Sequence, residues 1–315
     1  MAEGGGGQTW MGKECSSWGE HIAEHPAVPT RPTNLGMKLI FLLRRFFKNR
    51  KASEGLVGIY IDAQGTSGVA LEVNCETDFV SKNATFKQLV SGITRRIAEA
   101  PQVEQPQQSS PAILRQTIRK FTIQPEQLNA FQDSVNEAIT QLGEKIKLNR
   151  ALIVKSTEPK ADDQQRVRFV GYTHSAAGSN LIEQGVLLGK YGTIVAFRPV
   201  PDSEQVAKQA EQALQLDDQG YEIERPVPFE ESSRNVCQHI IGMKPTSVGA
   251  EQMEETRPEV QKEKSAKDAE SGALLEQQFL LDDDQSVREY LQFNGIDVVD
   301  FVRLECGEPV EETPQ

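Results

Sequence analysis

The sequence has few of the residues that build metal sites and disulfide frameworks. Its 315 residues include only four histidines and four cysteines, and the cysteines lie far apart, at Cys15, Cys75, Cys237 and Cys306. No C-x-x-C pair or other metal-ligand spacing relates them, which argues against the common zinc sites and a dense disulfide framework. We therefore predict no metal site and no cofactor, and a reducing compartment as the default.

Long apolar runs are also absent, and so is an excess of positive charge. No apolar stretch approaches the ~20 residues that a membrane-spanning helix needs. The formal net charge is −12, whereas non-specific binding to nucleic acid depends on lysine and arginine side chains that neutralise phosphates. These absences predict a protein that contacts neither membrane nor nucleic acid directly and whose partners are other proteins.

The first part of the chain, residues 1–52, lacks the pattern of a packed domain. It ends in the apolar and basic stretch "MKLIFLLRRFFKNRK", and no acidic residue occurs between Glu24 and Glu54. Such a stretch is typical of an organelle transit peptide, although those peptides normally begin at the N-terminus, and a short surface helix explains it equally well. We predict an irregular, basic and amphipathic leader here.

From Glu54 onward the pattern predicts an α+β fold. Short strands such as "LVGIYID" and "SGVALEVNC" are followed by helical stretches, and a similar order returns in the second half. We predict two related subdomains of antiparallel strands packed with helices, preceded by the irregular N-terminal segment. The predicted divisions are a first subdomain at 53–148, a second at 149–308 with a polar, charged excursion at about 244–272, and a tail at 309–315.

Five helices are predicted within this fold. The first covers "NATFKQLVSGITRRIAEA", and the second runs without a break through "PEQLNAFQDSVNEAITQLGEKIKL". The others are "SEQVAKQAEQALQL", "NVCQHIIGM" and a helix led in by Asp284 that ends at Gly295. The run "GKYG" is predicted to be a turn between two strands, since it lacks the spacing of a phosphate-binding loop.

The strand "SGVALEVNC" has a regular alternation of side chains. Its apolar face is formed by Val69, Leu71, Val73 and Cys75. Because Cys75 continues that face, a small buried side chain is favoured over a nucleophile, which disfavours a cysteine-dependent enzyme. Asn74 and Glu76 are predicted to be turn or rim residues.

The turn after this strand reads "ETDFVSKN" and places an acidic residue beside a phenylalanine. Taken alone, Asp78 is typical of a turn or helix N-cap, and Phe79 is typical of a core side chain beneath the following helix. Alternatively, the pair is displayed on the surface for a partner. Burial of the ring among Leu71, Leu89 and Ile93 would exclude the second interpretation.

The full run "EVNCETDFVSKN" resembles the signature of the elongation factor Ts family, the guanine-nucleotide exchange partners of elongation factor Tu. The stretches "VCQHIIGMKPTSVG" and "LLEQQFLLDDDQSVREYL" resemble the C-terminal half of that family, so the resemblance covers roughly Glu54 to Glu308. The insertion "THSAAGSNLIEQGVLLGKYG" and the lack of a long helical hairpin resemble the animal mitochondrial branch, which implies the mitochondrial matrix.

The resemblance implies a partner and a site. Thr77, Asp78, Phe79 and Val80 match the turn that family members insert into the G domain of elongation factor Tu. The resemblance implies that the turn disturbs the magnesium and phosphate site there, so that GDP leaves. This action needs differential binding and no covalent step, so the resemblance implies that the chain is not an enzyme.

One departure from the family pattern leaves an alternative open. Family members begin with a small three-helix domain that resembles ubiquitin-associated domains, and residues 1–52 show no such pattern. That domain is a separate contact with the G domain. The alternative is therefore a binding or scaffold protein on the same fold that has lost exchange competence.

Overall fold

The computed structural model of the chain describes residues 50–100, 118–157, 166–175, 181–200, 226–249 and 272–309. These residues belong to one unit, Arg45–Gln315. The predicted leader lies outside the described residues except for its last three positions. The predicted helix "SEQVAKQAEQALQL" and most of the charged excursion also lie outside them.

A six-stranded sheet forms one half of the fold. Its strands, in the order β3-β4-β2-β1-β7-β6, are all paired antiparallel. They are β1 (Glu54–Ile61), β2 (Ser67–Cys75), β3 (Ile118–Ile123), β4 (Lys147–Ser156), β6 (Leu181–Glu183) and β7 (Val186–Gly189). The predicted hairpin of β1 and β2 is confirmed, since Glu54 pairs with Cys75 and Ile61 pairs with Gly68.

A second sheet has three antiparallel strands in the order β11-β8-β5. They are β5 (Arg168–His174), β8 (Tyr191–Pro199) and β11 (Ile296–Glu305). Only Lys190 separates β7 from β8, yet the two strands belong to different sheets. The run "GKYG" is therefore a crossing between sheets, and its prediction as a simple turn between two strands is incomplete. A short hairpin of β9 (Gln278–Phe279) and β10 (Asp282–Ser286) forms a separate pair.

Six α-helices occur in the described part of the chain. They are α1 (Asp78–Lys82), α2 (Ala84–Glu99), α3 (Pro125–Leu128), α4 (Gln132–Leu142), α5 (Phe229–Met243) and α6 (Val287–Phe293). The predictions for α2 and for the inward face of α5 are confirmed, with Val236, Ile240 and Ile241 buried. Helix α5 begins six residues earlier than predicted.

The predicted single helix from Pro125 to Leu148 is wrong. A 3-10 turn at Asn129–Phe131 separates α3 from α4. Helix α4 then ends at Gly143, whose φ of 71° is a left-handed C-cap that glycine adopts without strain. The chain from Lys147 onward is strand β4 because its residues pair with both β2 and β3. Tertiary pairing thus overrides the helical periodicity of the last residues.

The predicted start of the last helix is also wrong. Its N-cap is Ser286, not Asp284, and the Ser286 side chain forms a capping box with Glu289. Asp284 lies in strand β10 instead. Gly295, with a φ of 63°, follows the C-cap residue Asn294, so the predicted end of the helix is confirmed.

The two sheets and the helices form layers around three apolar clusters. Helices α2 and α4 cover the outer face of the six-stranded sheet, where Phe86, Val90 and Ile93 pack against Leu71 and Val73. Helices α5 and α6 cover the three-stranded sheet. Between the sheets lies a third cluster that joins β1 and β4 to β5, β8 and β11. Strand β2 is consequently buried on both faces.

The observed class is α+β, with antiparallel sheets packed against helices, as predicted. The sheets do not divide at the predicted boundary of 148/149, because β4 spans it and pairs within the first sheet, as do β6 and β7. The division of the chain into two folding subdomains stays a prediction.

Candidate functional site

The turn between β2 and α2 carries the most exposed large apolar side chain among the described residues. Phe79 is 80% exposed. It occupies the second position of α1, a helix of five residues that starts directly after Thr77. The alternative in which this ring is buried among Leu71, Leu89 and Ile93 is therefore excluded, and the prediction that the ring is exposed is confirmed. Its display for a partner stays a prediction.

The other side of the same short helix is buried. Val80 is buried and packs into the cluster beneath α2. Ser81 is buried as well, and its hydroxyl donates to the carbonyl of Asp78 at 2.8 Å. Because a five-residue helix has almost no stability alone, this packing is what holds α1 against the sheet. The Phe79 ring thus projects from an anchored element.

Both ends of α1 are capped. Thr77 is the N-cap, with an extended backbone, and its hydroxyl accepts a hydrogen bond from the Val80 N–H at 3.4 Å. Asn83 ends α1 and begins α2, since its side chain accepts from the Thr85 N–H at 2.8 Å. The chain therefore passes from strand to helix to helix without a loop in which Phe79 would be loosely held.

Asp78 is exposed beside Phe79. Its carboxylate forms an ion pair of 2.7 Å with Lys82, one turn further along α1. The hydrogen bond from Lys82 lowers the pKa of Asp78 below its usual value, so this side chain is ionised at neutral pH. The turn therefore presents one aromatic ring and one carboxylate to the solvent, side by side.

The loop after α4 holds the turn from the other side. Both carboxylate oxygens of Glu144 accept from Thr77, one from the hydroxyl at 2.7 Å and one from the backbone N–H at 3.1 Å. In return, Glu76 accepts from the Lys145 N–H at 2.9 Å. Sequence reasoning missed Glu144, because the predicted helix through residue 148 placed it on a helix surface. The signal that could have found the loop is Gly143, a typical C-cap.

The polar residues of β2 lie deeper than predicted. Asn74 is buried, and its Nδ2 donates to Glu72 Oε1 at 3.0 Å. Its prediction as a turn or rim residue is wrong, because a second sheet covers this face of β2. Glu76 is partly buried and pairs with Arg50 at 3.1 Å, so it does border the turn.

Cys75 is buried, as predicted. Burial raises the pKa of its thiol to about 12, and the nearby Glu144 carboxylate adds to the rise. Its Sγ donates to the carbonyl of Thr77 at 3.2 Å. Because the thiolate is the reactive form, a buried thiol with a raised pKa is a poor nucleophile. The side chain serves the turn structurally.

The part of the chain that the structure describes contains neither a candidate metal site nor a candidate membrane-spanning helix. No group of three or more His, Cys, Asp or Glu side chains is arranged to hold a metal ion there. No helix among the same residues is long and apolar enough to cross a membrane. The feature that remains is the displayed turn at Thr77–Val80.

A family model described as "Elongation factor TS" matches residues 76–272, well over half of the chain. The chain belongs to the elongation factor Ts family. The matched region begins one residue before Thr77, so it includes the whole displayed turn.

Named relatives agree with this membership. "Elongation factor Ts, mitochondrial" of Aedes aegypti is 30% identical over 265 residues, covering 84% of this chain and 73% of the relative. The protein of the same name from Homo sapiens is 32% identical and covers 84% of this chain and 69% of the relative. The protein of that name from Xenopus laevis is 32% identical, and the match covers 84% of this chain and 72% of the relative. The resemblance predicted from "EVNCETDFVSKN" is confirmed.

Proposed function

We propose that this elongation factor Ts family member is a guanine-nucleotide exchange factor for elongation factor Tu in mitochondrial translation elongation. The observation that carries the proposal is the 80% exposed ring of Phe79 on an anchored helix. Large aromatic side chains are enriched among the few residues that carry most of the binding energy of protein interfaces. The relatives above carry "mitochondrial" in their names, which supports the mitochondrial matrix as the place of action.

The proposed mechanism depends on differential binding. A partner that binds the nucleotide-free GTPase more tightly than the GDP-bound form must weaken GDP binding by the same factor. Phe79 is the wedge: its ring enters an apolar pocket of the G domain and shifts the elements that line it. Asp78 brings a carboxylate to the neighbourhood of the Mg²⁺ ion, whose octahedral shell tolerates little displacement.

The rigidity of the turn contributes to the proposed affinity. A displayed side chain on a flexible loop loses conformational freedom on binding, which costs about 0.5–1.5 kcal/mol for each immobilised side chain. Here Thr77 and Val80 are already fixed by the cap hydrogen bond and by packing. An aromatic anchor held in this way is typical of an interface hot spot.

No step of this mechanism requires a covalent intermediate or a proton transfer. Asp78 is ionised and paired with Lys82, and the neighbouring Cys75 is protonated at neutral pH. We therefore propose that the chain accelerates nucleotide release through binding alone and is not an enzyme with a chemical step.

The test is the release of labelled GDP from mitochondrial elongation factor Tu, with and without the full chain. The proposal predicts that a substoichiometric amount of the chain accelerates release severalfold in proportion to its concentration. Binding of elongation factor Tu without acceleration would instead support the alternative, an exchange-incompetent binding or scaffold protein. Absence of both binding and acceleration would contradict both functions.

A further inference from the structure

We propose that Glu144 is a positioning residue for exchange, because it fixes the N-cap of the helix that displays Phe79. This inference deepens the proposed function and rests on it. The structure brings Glu144 and Thr77 together although they are 67 positions apart in the sequence. Glu144 is not itself part of the displayed turn, so its effect on the partner would pass through Thr77.

The contact is bidentate. Glu144 Oε1 accepts from the Thr77 hydroxyl at 2.7 Å, and Glu144 Oε2 accepts from the Thr77 N–H at 3.1 Å. Hydrogen bonds to an ionised carboxylate are about twice as strong as those between neutral groups. Two of them on one residue fix both its backbone and its side chain, two positions before Phe79.

The direction of the hydroxyl bond matters for the cap. A threonine hydroxyl has a single proton. Because that proton is donated to Glu144, the lone pairs of the oxygen are left for the Val80 N–H, which lies 3.4 Å away. Glu144 therefore orients the hydroxyl in its capping role. Without a carboxylate at this position the hydroxyl proton and the side-chain torsion of Thr77 are less restrained, and the cap of α1 is weakened.

The remaining polar groups of Thr77 are also bound. Its carbonyl accepts from Cys75 Sγ at 3.2 Å and from the Ser81 N–H at 3.3 Å. Next to it, Glu76 accepts from the Lys145 N–H at 2.9 Å. Each of the segments 76–77 and 144–145 thus both donates hydrogen bonds to the other and accepts them from it. Residues 76 and 77, just before the exposed ring, are therefore fixed by hydrogen bonds from both backbone and side chains. This is the arrangement expected for a preorganised contact.

The substitution Glu144→Gln tests the inference with almost no change of shape. A glutamine has one acceptor oxygen in place of two, so in the side-by-side geometry of Glu144 its NH2 group faces one of the two Thr77 donors and cannot accept from it. We expect GDP release from elongation factor Tu to slow about tenfold, the loss that corresponds to one charge-assisted hydrogen bond. The matched control is Glu137→Gln on α4, an exposed residue whose carboxylate accepts only from Gln141 among the contacts of the described residues.

A double-mutant cycle with Phe79→Ala separates positioning from other roles. If Glu144 acts by holding the ring, Glu144→Gln has no further effect on the residual exchange of the Phe79→Ala protein. An equal tenfold loss in both backgrounds would overturn the inference, because it would mean that Glu144 contacts the partner or stabilises the whole fold. Activity of Glu144→Gln equal to that of Glu137→Gln would overturn it as well.

A second measurement does not need the partner. Amide hydrogen exchange of the free chain is followed over residues 76–82, and the inference predicts faster exchange at Thr77 and Val80 in Glu144→Gln, with unchanged exchange in strand β2. If the unaltered chain fails to accelerate GDP release, the proposed function fails, while this measurement still decides whether Glu144 holds Thr77 and the start of α1. Unchanged amide hydrogen exchange at Thr77 and Val80 in Glu144→Gln would overturn the inference.

Discussion

The carboxylate of Glu72 lies 2.7 Å from the Nε atom of Arg150, and Glu72 is completely buried. Its second oxygen accepts from Asn74 Nδ2 at 3.0 Å and from the Gly307 N–H at 2.8 Å. The pair therefore connects β2 and β4 of the six-stranded sheet to the turn that follows β11 of the other sheet. Both oxygens of the buried carboxylate therefore have hydrogen-bond donors.

Loss of Arg150 should be strongly destabilising. The substitution Arg150→Met leaves the buried Glu72 carboxylate without its cation, and breaking such a pair costs about 3–5 kcal/mol. Urea unfolding measures the free energy directly. As a control, Lys120→Met removes the exposed pair with Asp300, where both side chains are more than a third exposed, and exposed pairs contribute only about 0–1 kcal/mol. Equal effects of the two substitutions would contradict this account of Glu72.

The stability of the chain should depend on pH through His239. This buried ring accepts the Leu280 N–H at 3.1 Å through Nδ1, so its proton lies on Nε2, 2.9 Å from Gln277 Oε1. Burial lowers the pKa of His239 below its ordinary value. The unfolded state therefore binds a proton on His239 more readily than the folded state does. The contribution of His239 to stability is fully present above pH 6.5, the ordinary pKa of histidine, and is lost as the pH falls below that value.

Urea unfolding at several pH values checks this expectation. The unaltered chain should lose stability as the pH falls below 6.5, and His239→Asn should lose less over the same range, although its stability at pH 8 is lower. The difference between the two profiles removes the contribution of the carboxylates. Parallel profiles would show that His239 does not titrate differently in the folded and unfolded states.

The three cysteines in the described part of the chain should be unreactive in the folded protein. All three are buried, and burial raises the pKa of Cys75 and Cys306 to about 12. In a Cys15→Ser variant, which leaves only these thiols, a thiol reagent at pH 8 should react about three orders of magnitude more slowly than in urea. Rapid modification of one thiol without unfolding would contradict the burial on which this prediction depends.

Much of the fold was predictable from local patterns. The alternation in "SGVALEVNC" and the 3.6-residue spacing from Phe86 to Ile97 specify β2 and α2, and the structure contains both. Local patterns failed where a distant strand decides the outcome. Residues 147 and 148 continue a helical periodicity, but they pair with β2 and therefore form a strand.

The candidate site was predictable only in part. The full run "EVNCETDFVSKN" identified the turn through its resemblance to the elongation factor Ts signature, whereas Phe79 taken alone is typical of a core side chain. Glu144 was not predictable, since its contact with Thr77 depends on how the loop after α4 returns to the end of β2. Asn74 was misplaced for a similar reason: its burial comes from the second sheet, which no pattern within β2 reveals.

The most direct test of the account is GDP release from mitochondrial elongation factor Tu by the Phe79→Ala chain. Because an aromatic hot spot contributes about 2 kcal/mol or more, release should slow by about 30-fold. The melting temperature should stay within about 2 °C of the original, since the ring is 80% exposed. The matched control is Ile182→Ala, another exposed apolar side chain (66%) on strand β6, which should leave both quantities unchanged. Release by Phe79→Ala at the rate of the unaltered chain would contradict the claim that this ring drives nucleotide exchange.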